Sequence, residues 1–305
     1  MATRKEIESV IKIYQSTLTA LDQVLIGQSK AKKAIASSIL CDMSSKILMT
    51  GNTGVGKTTI SNFLATSFNS ERISVTSDMI PSDVQEQLKN RQDMQLLQVD
   101  EFNRASGKVQ STFIELFAEK QMSIGGEKYK FHDFYVLATQ NSADIAGVFN
   151  VPQAVYDRFD INIYFDELTE EEKRKLFFSG FEAKTESHLR LDELVETAYA
   201  VSSFMTEKQD EDIMMQIFHF IDSMALDGQR LFGGSNIRAH KFALKLAKLT
   251  ALRNGRSQIF PSDIVDFVNY IYMHRIDQNI ACIGEKQVLD KFDEVKSKIL
   301  SMKRH

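Results

Sequence analysis

Residues 51–58 read Gly51-Asn52-Thr53-Gly54-Val55-Gly56-Lys57-Thr58, which fits the pattern G-x-x-x-x-G-K-[ST]. The pattern lies between an apolar strand candidate, Ile47-Leu48-Met49, and a helix candidate that carries apolar residues at helical spacing from Ile60 to Phe68. Glycines let backbone N–H groups face phosphate oxygens, and the amino terminus of a helix favours anions. The stretch therefore predicts a nucleoside triphosphate site, against the alternative of an ordinary glycine-rich turn.

Within this loop, the Lys57 side chain is expected to reach the β and γ phosphates, and the Thr58 hydroxyl is expected to hold Mg²⁺. The glycines are expected to contribute backbone N–H groups. The residues expected to bind the nucleotide along this stretch are Asn52, Thr53, Gly54, Val55, Gly56, Lys57, Thr58 and Thr59.

The composition points to a soluble protein without a strong electrostatic preference. Among 305 residues, 41 are acidic and 37 are basic, so no global field favours nucleic acid or an anionic membrane. Two cysteines far apart in sequence, Cys41 and Cys282, argue for a reducing compartment. No stretch approaches the apolar length of a membrane span, and the histidines lack the paired spacing of a zinc site. We expect a cytoplasmic protein.

Apolar runs and helical periodicity divide the chain near residue 166. Five short runs read as strands, namely Ile47 to Met49, Ile73 to Thr76, Leu96 to Val99, Phe134 to Thr139 and Ile161 to Phe165. Helical or loop segments separate these runs, which indicates a parallel sheet covered on both faces, with ligands beyond the carboxyl ends of its strands. We expect an α/β nucleotide-binding domain over 1–165 and an all-helical domain over 166–305.

The predicted helices extend through both parts. Two have capping boxes at their amino termini, formed by Thr3 with Glu6 and by Thr169 with Glu172. The helices are expected at 3–25, 29–42, 109–119, from Thr169 to near Gly180, and at 190–206, 209–225, 236–253, 262–275 and 285–302.

Two acidic residues end the third strand candidate, where the phosphate loop is also expected. Asp100 would hold Mg²⁺ through water, and Glu101 could polarise the water that attacks the γ phosphate. A solvated loop start is the ordinary alternative. Asn141 follows the next strand, so its amide could orient that water or contact the γ phosphate, although a turn-forming Asn also explains the residue.

Two arginines further along the chain are candidates for phosphate contacts. Arg158 lies between Asp157 and Asp160, so the choice is between a surface ion pair and a finger that enters a neighbouring subunit's site. Arg238 falls in the first turn of a helix that follows Gly233-Gly234-Ser235-Asn236. A cation there opposes the helix dipole, which suggests an anionic partner, either a phosphate or a nearby carboxylate.

The segment 121–131 alternates around Gly125-Gly126, which predicts a hairpin with a two-residue turn. Its apolar residues, from Met122 to Phe131, could form a compact side for contact with a partner, although an ordinary surface hairpin is the alternative. Cations dispersed over the helix at 236–253 and just beyond it could form a basic patch or a solvated face.

The order of these pieces resembles that of an AAA+ ATPase, and the detail is similar to the MoxR family of the helix-2-insert clade. The stretches that carry the resemblance are Ile26-Gly27-Gln28, Thr76 to Asp83, Asp100-Glu101-Phe102-Asn103-Arg104-Ala105, Val136 to Asn141, Pro152-Gln153-Ala154 and Asp157-Arg158-Phe159. It covers about 20–270. Thr53 stands where the family usually has Pro, and Gly233-Gly234-Ser235-Asn236-Ile237-Arg238 replaces the usual Gly-Ala-Ser-Pro-Arg, which marks a divergent member.

The resemblance implies a role for each candidate and a set of partners. Lys57 and Thr58 would be Walker A, Asp100 and Glu101 Walker B, Asn141 sensor 1, Arg158 the arginine finger and Arg238 sensor 2, with Ile26 and Gly27 lining an adenine pocket. The family implies an ATP hydrolase using Mg²⁺, a hexameric ring, a helical lid domain and the hairpin at 121–131 as the clade's insert. It also implies remodelling of a protein client, often beside a von Willebrand factor A domain protein.

Three functions therefore stay open at this point. The first is a ring motor that hydrolyses ATP and remodels a protein partner. The second is a nucleotide-gated module that binds nucleic acid through the basic helix face or the hairpin, which the absence of net positive charge disfavours. The third is an ATPase subunit similar to those of magnesium chelatase, which belongs to the same clade.

Overall fold

The computed structural model of the chain describes residues 3–141, 149, 151–178, 189–234, 236–277 and 285–302. Ser235, Gly180 and Cys282, which the sequence analysis used, lie outside these residues. None of the described helices combines the length and the apolar character needed to cross a membrane.

A five-stranded parallel sheet forms the centre of the molecule, as the sequence predicts. Its strands are β1 (Lys46–Thr50), β2 (Ser70–Ser74), β3 (Leu96–Asp100), β6 (Tyr135–Gln140) and β7 (Ile161–Tyr164), in the spatial order β2-β3-β6-β1-β7. Strand β2 begins three residues before its predicted start. Ser70 already pairs with Leu96 at the start of β3, and the backbone N of Gln95 donates to the Asn69 carbonyl just before it. The inner strands β1, β3 and β6 are almost entirely buried because both faces of the sheet are covered there, whereas only Ile73 is buried in the edge strand β2.

The strands all run in one direction, so the sheet has two chemically different ends. We call the end where the strands finish the carboxyl end of the sheet, and the end where they start the amino end. The segments after β1, β3 and β6 emerge together at the carboxyl end, since these strands are neighbours in register from Lys46↔Val136 to Thr50↔Gln140. The segment before β7 lies at the amino end, where Asp160 N donates to the Lys46 carbonyl.

Helices connect the strands of this first part and cover both faces of the sheet. They are α1 (Arg4–Val24), α2 (Ser29–Cys41), α3 (Lys57–Ala65), α4 (Pro81–Leu88), α5 (Gly107–Glu119) and α6 (Gln153–Tyr156). The predicted capping box opens α1, because the Thr3 hydroxyl accepts from Glu6 N and the Glu6 carboxylate accepts from Thr3 N.

The second part is helix-rich, with two features that the sequence analysis did not predict. Its helices are α7 (Glu170–Phe178), α8 (Leu191–Ser203), α9 (Lys208–Asp222), α10 (Ile237–Arg253), α11 (Ser262–Val265), α12 (Val268–Tyr272) and α13 (Glu285–Ser301). The helix expected over 262–275 is divided into α11, α12 and a 3₁₀ turn at Met273–Arg275. A two-residue antiparallel pair, β8 (Ala225–Leu226) with β9 (Gln229–Arg230), follows α9, because Asp227 and Gly228 both take positive φ in a tight turn.

The hydrophobic core consists of two clusters separated by the sheet. One cluster joins α1, α2 and α3 to the second part, so that Leu21, Ile35 and Leu246 all belong to it. The other cluster lies under α4 and α5 and includes a group of phenylalanines around Phe102, Phe113 and Phe159. Packing of the second part against α1 and α2 therefore fixes its place on one face of the sheet.

The predicted hairpin forms from β4 (Gln121–Ile124) and β5 (Glu127–Lys130), with Gly125 and Gly126 at positive φ in the turn. Its apolar side is not a free contact surface. Met122 is fully buried in the cluster under α4 and α5, and the Gln85 amide of α4 donates to the Ser123 carbonyl at 2.9 Å. The expectation of an apolar face available to a partner is therefore wrong, because the face packs on the hairpin's own domain.

Candidate active site

The phosphate loop connects β1 to α3 at the carboxyl end of the sheet. Gly54 and Gly56 have φ values of 84° and 102°, a region that favours glycine, and this turns the backbone so that α3 opens directly at Lys57. A Cβ on Gly56 would lie 2.3 Å from a methyl group of Leu25, so the residue after α1 closely backs the loop. A Cβ on Gly54 would meet no atom within 4 Å, which leaves that side of the loop open for a ligand.

The Lys57 side chain folds back onto the phosphate loop. Its ammonium group donates to the carbonyls of Gly51 at 2.5 Å and Asn52 at 2.8 Å. Burial lowers the pKa of Lys57. The side chain is therefore held by two neutral acceptors, and a phosphate would supply the negative charge that its surroundings lack.

Asp100 ends β3 and is largely buried beside the phosphate loop's helix. One of its carboxylate oxygens accepts from both Nε and Nη2 of Arg72 on β2 at 2.6 Å, and the Thr139 hydroxyl lies 3.4 Å from the other. Arg72 also reaches Asn62 on α3 at 3.3 Å. The register of β2 against β3 produces this ion pair, which keeps a carboxylate at the carboxyl end of the sheet.

Glu101 has a backbone conformation that is uncommon for a residue with a side chain. Its φ is 57°, in the left-handed region, and the Thr139 hydroxyl accepts from its backbone N at 3.1 Å. The carboxylate is half exposed and contacts Arg104 at 3.0 Å. A left-handed backbone conformation is strained for a residue with a side chain and persists only where the surrounding structure requires it. Here it ends the strand, so that Glu101 no longer continues the extended backbone of Asp100.

Asn141 follows β6 and contacts the phosphate loop directly. Its amide donates to the Thr53 hydroxyl at 3.1 Å, and its carbonyl accepts from Asn103, a buried residue after β3, at 3.1 Å. Three segments that follow neighbouring strands therefore meet at one place. The polar set there comprises Thr53, Lys57, Thr58, Asp100, Glu101 and Asn141.

The residues at the carboxyl end suit a magnesium ion held beside a triphosphate. Mg²⁺ prefers oxygen ligands and keeps several waters, so it needs few protein groups. Thr58, at the open amino terminus of α3, presents an exposed hydroxyl, and Asp100 presents a carboxylate oxygen that Arg72 leaves uncovered. A cradle of glycines with free space at Gly54 lies next to them.

The turn at 26–28, expected to lie beside the base of the nucleotide, connects the two parts of the chain. Gly27 has φ 68°, and a Cβ there would lie 2.4 Å from the Glu172 carboxylate. The Gln28 amide donates to the Asp166 carbonyl at 2.5 Å and accepts from Asp166 N at 3.2 Å. Glu172 also completes the predicted capping box with Thr169. Ile26 is half-buried in this turn.

Arg158 lies at the amino end of the sheet, away from its own phosphate loop. It precedes β7, where Asp160 is bonded to Lys46 at the start of β1. The phosphate loop begins after Thr50, four residue steps later, and a strand advances about 3.3 Å per residue, so about 13 Å of strand separates the two places. Within one subunit the sheet therefore lies between Arg158 and Lys57.

The aspartates that flank Arg158 are engaged by other groups. Asp157 accepts from the Gln153 amide at 3.1 Å, and Asp160 accepts from Lys46 N at 2.8 Å. The Arg158 guanidinium donates to the Ala154 carbonyl at 3.2 Å, and its buried Nε has no hydrogen-bond partner among the described residues. In the described part of the chain, the surface ion pair considered for Arg158 does not form.

Arg238 lies beside Arg158 at this same end. It occupies the first turn of α10, as expected, and donates to the Asp157 carbonyl at 3.2 Å. Asn236 precedes the helix, but its amide donates to Asp222 at 2.8 Å and makes no side-chain cap bond. Of the two partners considered for Arg238, the structure provides no carboxylate within ion-pair distance among the described residues.

These arginines line a cleft of about 870 Å³ between the first and second parts. We call it the arginine cleft, and its charged lining residues are Asp157, Arg158, Arg238, Lys241, Arg275 and Asp277. A smaller cavity, which shares Arg158, Arg238 and Lys241, continues toward the start of β1. Cations exceed anions around the cleft, so it favours an anionic group.

Of the cations dispersed over 241–256, on α10 and just beyond it, Lys241 lines the arginine cleft and the other four bind partners within the chain. Lys245 pairs with Asp42, Arg253 donates to Tyr14, and Arg256 forms a two-point ion pair with Asp263. Lys248 donates to the Phe204 carbonyl at 3.0 Å. Because these groups bind partners within the chain, the helix does not offer the continuous cationic surface that nucleic-acid binding requires.

Sequence reasoning did not identify Arg72 or Thr139 as members of the site. Thr139 contacts both Asp100 and Glu101, and its position at the end of a predicted strand was a usable signal. Arg72 has no comparable signal, since its contact with Asp100 depends on how β2 aligns with β3.

A model of the ATPase family associated with various cellular activities (AAA) matches residues 46–161, from the start of β1 to the start of β7. The match spans the phosphate loop, the acidic pair, Asn141 and Arg158. The polar groups at the carboxyl end and the arginine at the amino end thus lie within one matched segment.

Curated relatives extend the similarity over most of the chain. "Chaperone MoxR1" of Mycobacterium tuberculosis is 27% identical over 288 residues, covering 83% of this chain and 73% of that protein. "Protein MoxR" of Paracoccus denitrificans is 23% identical and covers 86% and 88%. A crystal structure from Cytophaga hutchinsonii, described provisionally as that of an ATPase, has a TM-score of 0.78 at 23% identity and covers 95% of this chain and 96% of its own, which shows a shared fold.

Proposed function

We propose a function from the premise that this chain is a divergent member of the MoxR family of AAA+ ATPases. It binds ATP with Mg²⁺ at the carboxyl end of its sheet and hydrolyses it in a homo-oligomeric ring, taken to be a hexamer. Arg158 completes the site of the adjacent subunit. The ring uses the hydrolysis to remodel a protein partner.

One observation carries the proposal. Arg158 lies at the amino end of the sheet, with a buried Nε that has no partner among the residues that the structure describes, whereas Lys57 lies at the carboxyl end. A single subunit therefore cannot apply Arg158 to its own nucleotide. A head-to-tail contact, in which the amino end of one subunit meets the carboxyl end of the next, would bring them together, and such contacts close into rings.

The residues at the carboxyl end divide the chemistry among themselves. Lys57 and the backbone N–H groups of the glycine loop bind the triphosphate, and Thr58 and Asp100 would hold Mg²⁺, which neutralises charge on the phosphate oxygens. Glu101 takes the proton of the attacking water, and Asn141, held against Thr53, orients that water.

The arginine cleft supplies the cation for the neighbouring site. Arg158 stabilises the charge that develops on the transferred phosphoryl group, a role worth about 10³ to 10⁵ in rate in related enzymes. Arg238, in the same cleft, joins it as the second arginine. In this arrangement the sensor 2 residue serves the neighbouring subunit, together with the finger.

A mixing experiment tests this arrangement. Arg158→Ala keeps Lys57 and Glu101 but supplies no finger, whereas Glu101→Gln has a dead site but supplies one. Each variant alone is expected to be almost inactive. When they are mixed at random, roughly one interface in four joins a competent site to a competent finger, so ATPase activity should return to about a quarter of the wild-type value.

The wild-type protein provides the matching control, since its specific activity should rise with protein concentration as subunits assemble. Subunit exchange is measured separately by capture of an untagged variant on a tagged one. If the subunits exchange and the mixture stays inactive, or if Arg158→Ala alone is fully active, Arg158 does not act on the neighbouring subunit. Remodelling is tested by copurification of client proteins with Glu101→Gln, which should retain them in the ATP-bound state.

A further inference from the structure

Arg275 is a buried cation whose contacts lie next to Arg158 in the structure but far from it in sequence. It is 5% exposed and belongs to the 3₁₀ turn Met273–Arg275 that ends α12. Its guanidinium donates to the Phe159 carbonyl at 2.5 Å and to the Ile271 carbonyl at 2.8 Å. Among the described residues, no carboxylate lies within ion-pair distance of it, and Asp160 and Asp157 interact with it electrostatically from further away.

A buried guanidinium without an ion-pair partner is costly, so its position requires an explanation. A core residue of the second part could be apolar if packing were its only task. Arg275 instead spans the boundary between the two parts and binds the backbone of the residue that directly follows Arg158. Removal of the guanidinium would leave the Phe159 carbonyl without its closest donor.

Neighbouring contacts hold the same segment from the same direction. The His274 imidazole lies 3.4 Å from the Phe159 carbonyl, and the Gln153 amide donates both to the His274 carbonyl at 3.3 Å and to Asp157 at 3.1 Å. The Phe159 ring is fixed from the other side by Phe102 and Phe117. The backbone around Arg158 is thus held between the 3₁₀ turn and the core under the sheet.

We propose that Arg275 is a positioning residue that fixes the backbone of Asp157-Arg158-Phe159, so that Arg158 reaches the nucleotide of the adjacent subunit. The inference rests on the proposed function, because it requires that Arg158 act between subunits. Arg275 itself touches no phosphate in this role. The second part of each subunit then determines how well that subunit activates its neighbour.

Small errors of position matter for such a contact, since a displacement of about 1 Å can cost roughly 100-fold in rate. In the assembled homo-oligomer, Arg275→Gln is expected to lower the ATP turnover number by roughly 10- to 100-fold. Its ATP affinity should stay within about twofold of the wild type, because its own carboxyl end is intact. Arg275→Lys keeps the cation but not the planar fork, and should regain part of the lost rate.

Complementation separates positioning from a merely structural role. Arg275→Gln has a competent nucleotide site and a misplaced finger, so mixing it with Glu101→Gln should restore activity, as Arg158→Ala does in the same assay. Arg253→Gln is the matched control. It also removes an arginine that joins the second part to the first, through Tyr14 and Ser37, but it is remote from Arg158. Its turnover in the assembled state should match the wild type even if its melting temperature falls.

The outcomes are distinguishable. If Arg158→Ala is complemented and Arg275→Gln is not, Arg275 does not act through the finger and the inference is overturned. If neither is complemented although subunits exchange, the proposed function fails and the inference fails with it. An Arg275→Gln oligomer with wild-type turnover also overturns the inference. Should Arg275→Gln not fold, Arg275→Lys enters the same mixtures and is judged by the same criteria.

Discussion

The two ends of the central sheet are built in different ways. At the carboxyl end, the polar groups follow neighbouring strands of one sheet and contact each other directly. Asn141 donates to the Thr53 hydroxyl, and the backbone N of Glu101 donates to the Thr139 hydroxyl. At the amino end, Arg158 is surrounded by groups from the second part of the chain. Arg238 donates to the Asp157 carbonyl, 81 residues away in sequence, and Arg275 donates to the Phe159 carbonyl, 116 residues away.

Under the proposed function, this difference places nucleotide binding at the carboxyl end and activation of the neighbouring subunit at the amino end. Register within a sheet is strongly specified, because a slip would turn every side chain to the wrong face, so the carboxyl end is fixed once the sheet forms. The amino end depends in addition on how α10 and the turn after α12 pack. Changes at the carboxyl end should therefore act within one subunit, and changes at the amino end should act on the neighbour or on stability.

The largest expected effect is that of Glu101→Gln at the carboxyl end. The amide keeps the size of the side chain but cannot accept the proton of the attacking water, so turnover should fall by about 10² to 10⁴, or roughly 3 to 5 kcal/mol. ATP binding should persist, in contrast to Lys57→Ala, which removes a phosphate contact and should weaken it. Single-turnover ATPase assays and equilibrium binding of a fluorescent nucleotide measure the two quantities. Turnover at the wild-type rate would exclude Glu101 as the base.

A large effect on stability is expected at the hairpin, whose base lies near the amino end. Met122→Ala should lower the free energy of unfolding by about 2 to 5 kcal/mol, because the side chain is fully buried under α4 and α5. Lys128→Ala, on the exposed strand of the same hairpin, is the control and should be nearly neutral. Urea denaturation followed by circular dichroism gives both values. Equal stability of the two variants would mean that the hairpin is not anchored through Met122.

A smaller effect is expected for Gly56→Ala in the phosphate loop. At φ 102° an alanine is strained by about 1 to 3 kcal/mol, and its Cβ would press on Leu25, so ATP affinity should fall by roughly 5- to 150-fold. Gly107→Ala, where the added Cβ meets no atom within 4 Å, should bind ATP normally. Isothermal titration with ATP and Mg²⁺ compares them, and unchanged affinity in Gly56→Ala would show that the loop tolerates a side chain.

The smallest effect concerns pH at the amino end. Burial lowers the pKa of His274 well below its ordinary value, so this imidazole is held neutral in the folded protein, and burial also lowers the pKa of His240. Below about pH 6.5, histidine side chains that are held neutral in the folded protein become protonated in the unfolded chain. Stability should then fall as pH decreases, by roughly 1.4 kcal/mol per pH unit for each such histidine.

His274→Gln tests this dependence, since it removes the titrating group and keeps a donor toward Phe159. Its free energy of unfolding should change less between pH 6.5 and pH 5.5 than that of the wild type, whereas His132→Gln, at an exposed position of the first part, should behave as the wild type does. Parallel urea titrations at the two pH values provide the comparison. An identical slope in all three proteins would show that His274 has the same pKa in the folded and unfolded chains.

Much of the fold and part of the site could be predicted from the sequence. Alternating apolar runs gave the five strands, and capping boxes at Thr3 and Thr169 located helix starts, because both signals act over a few residues. Prediction failed where a local sequence pattern was used to infer a contact that depends on distant parts of the chain. The apolar residues of the hairpin were expected to face a partner, yet Met122 is buried in its own domain.

By itself, the sequence determined the phosphate loop, the acidic pair after β3 and the family pattern that contains them, because backbone turns, helix starts and strand ends are local properties. Only the tertiary structure decided that Arg72 contacts Asp100, that Arg158 and Arg238 share a cleft at the opposite end of the sheet, and that Arg275 holds Phe159. These contacts arise from strand register and from packing of the second part on the first. Such packing depends on the summed burial of many side chains, and no short stretch of sequence records which distant residue it will bring into contact.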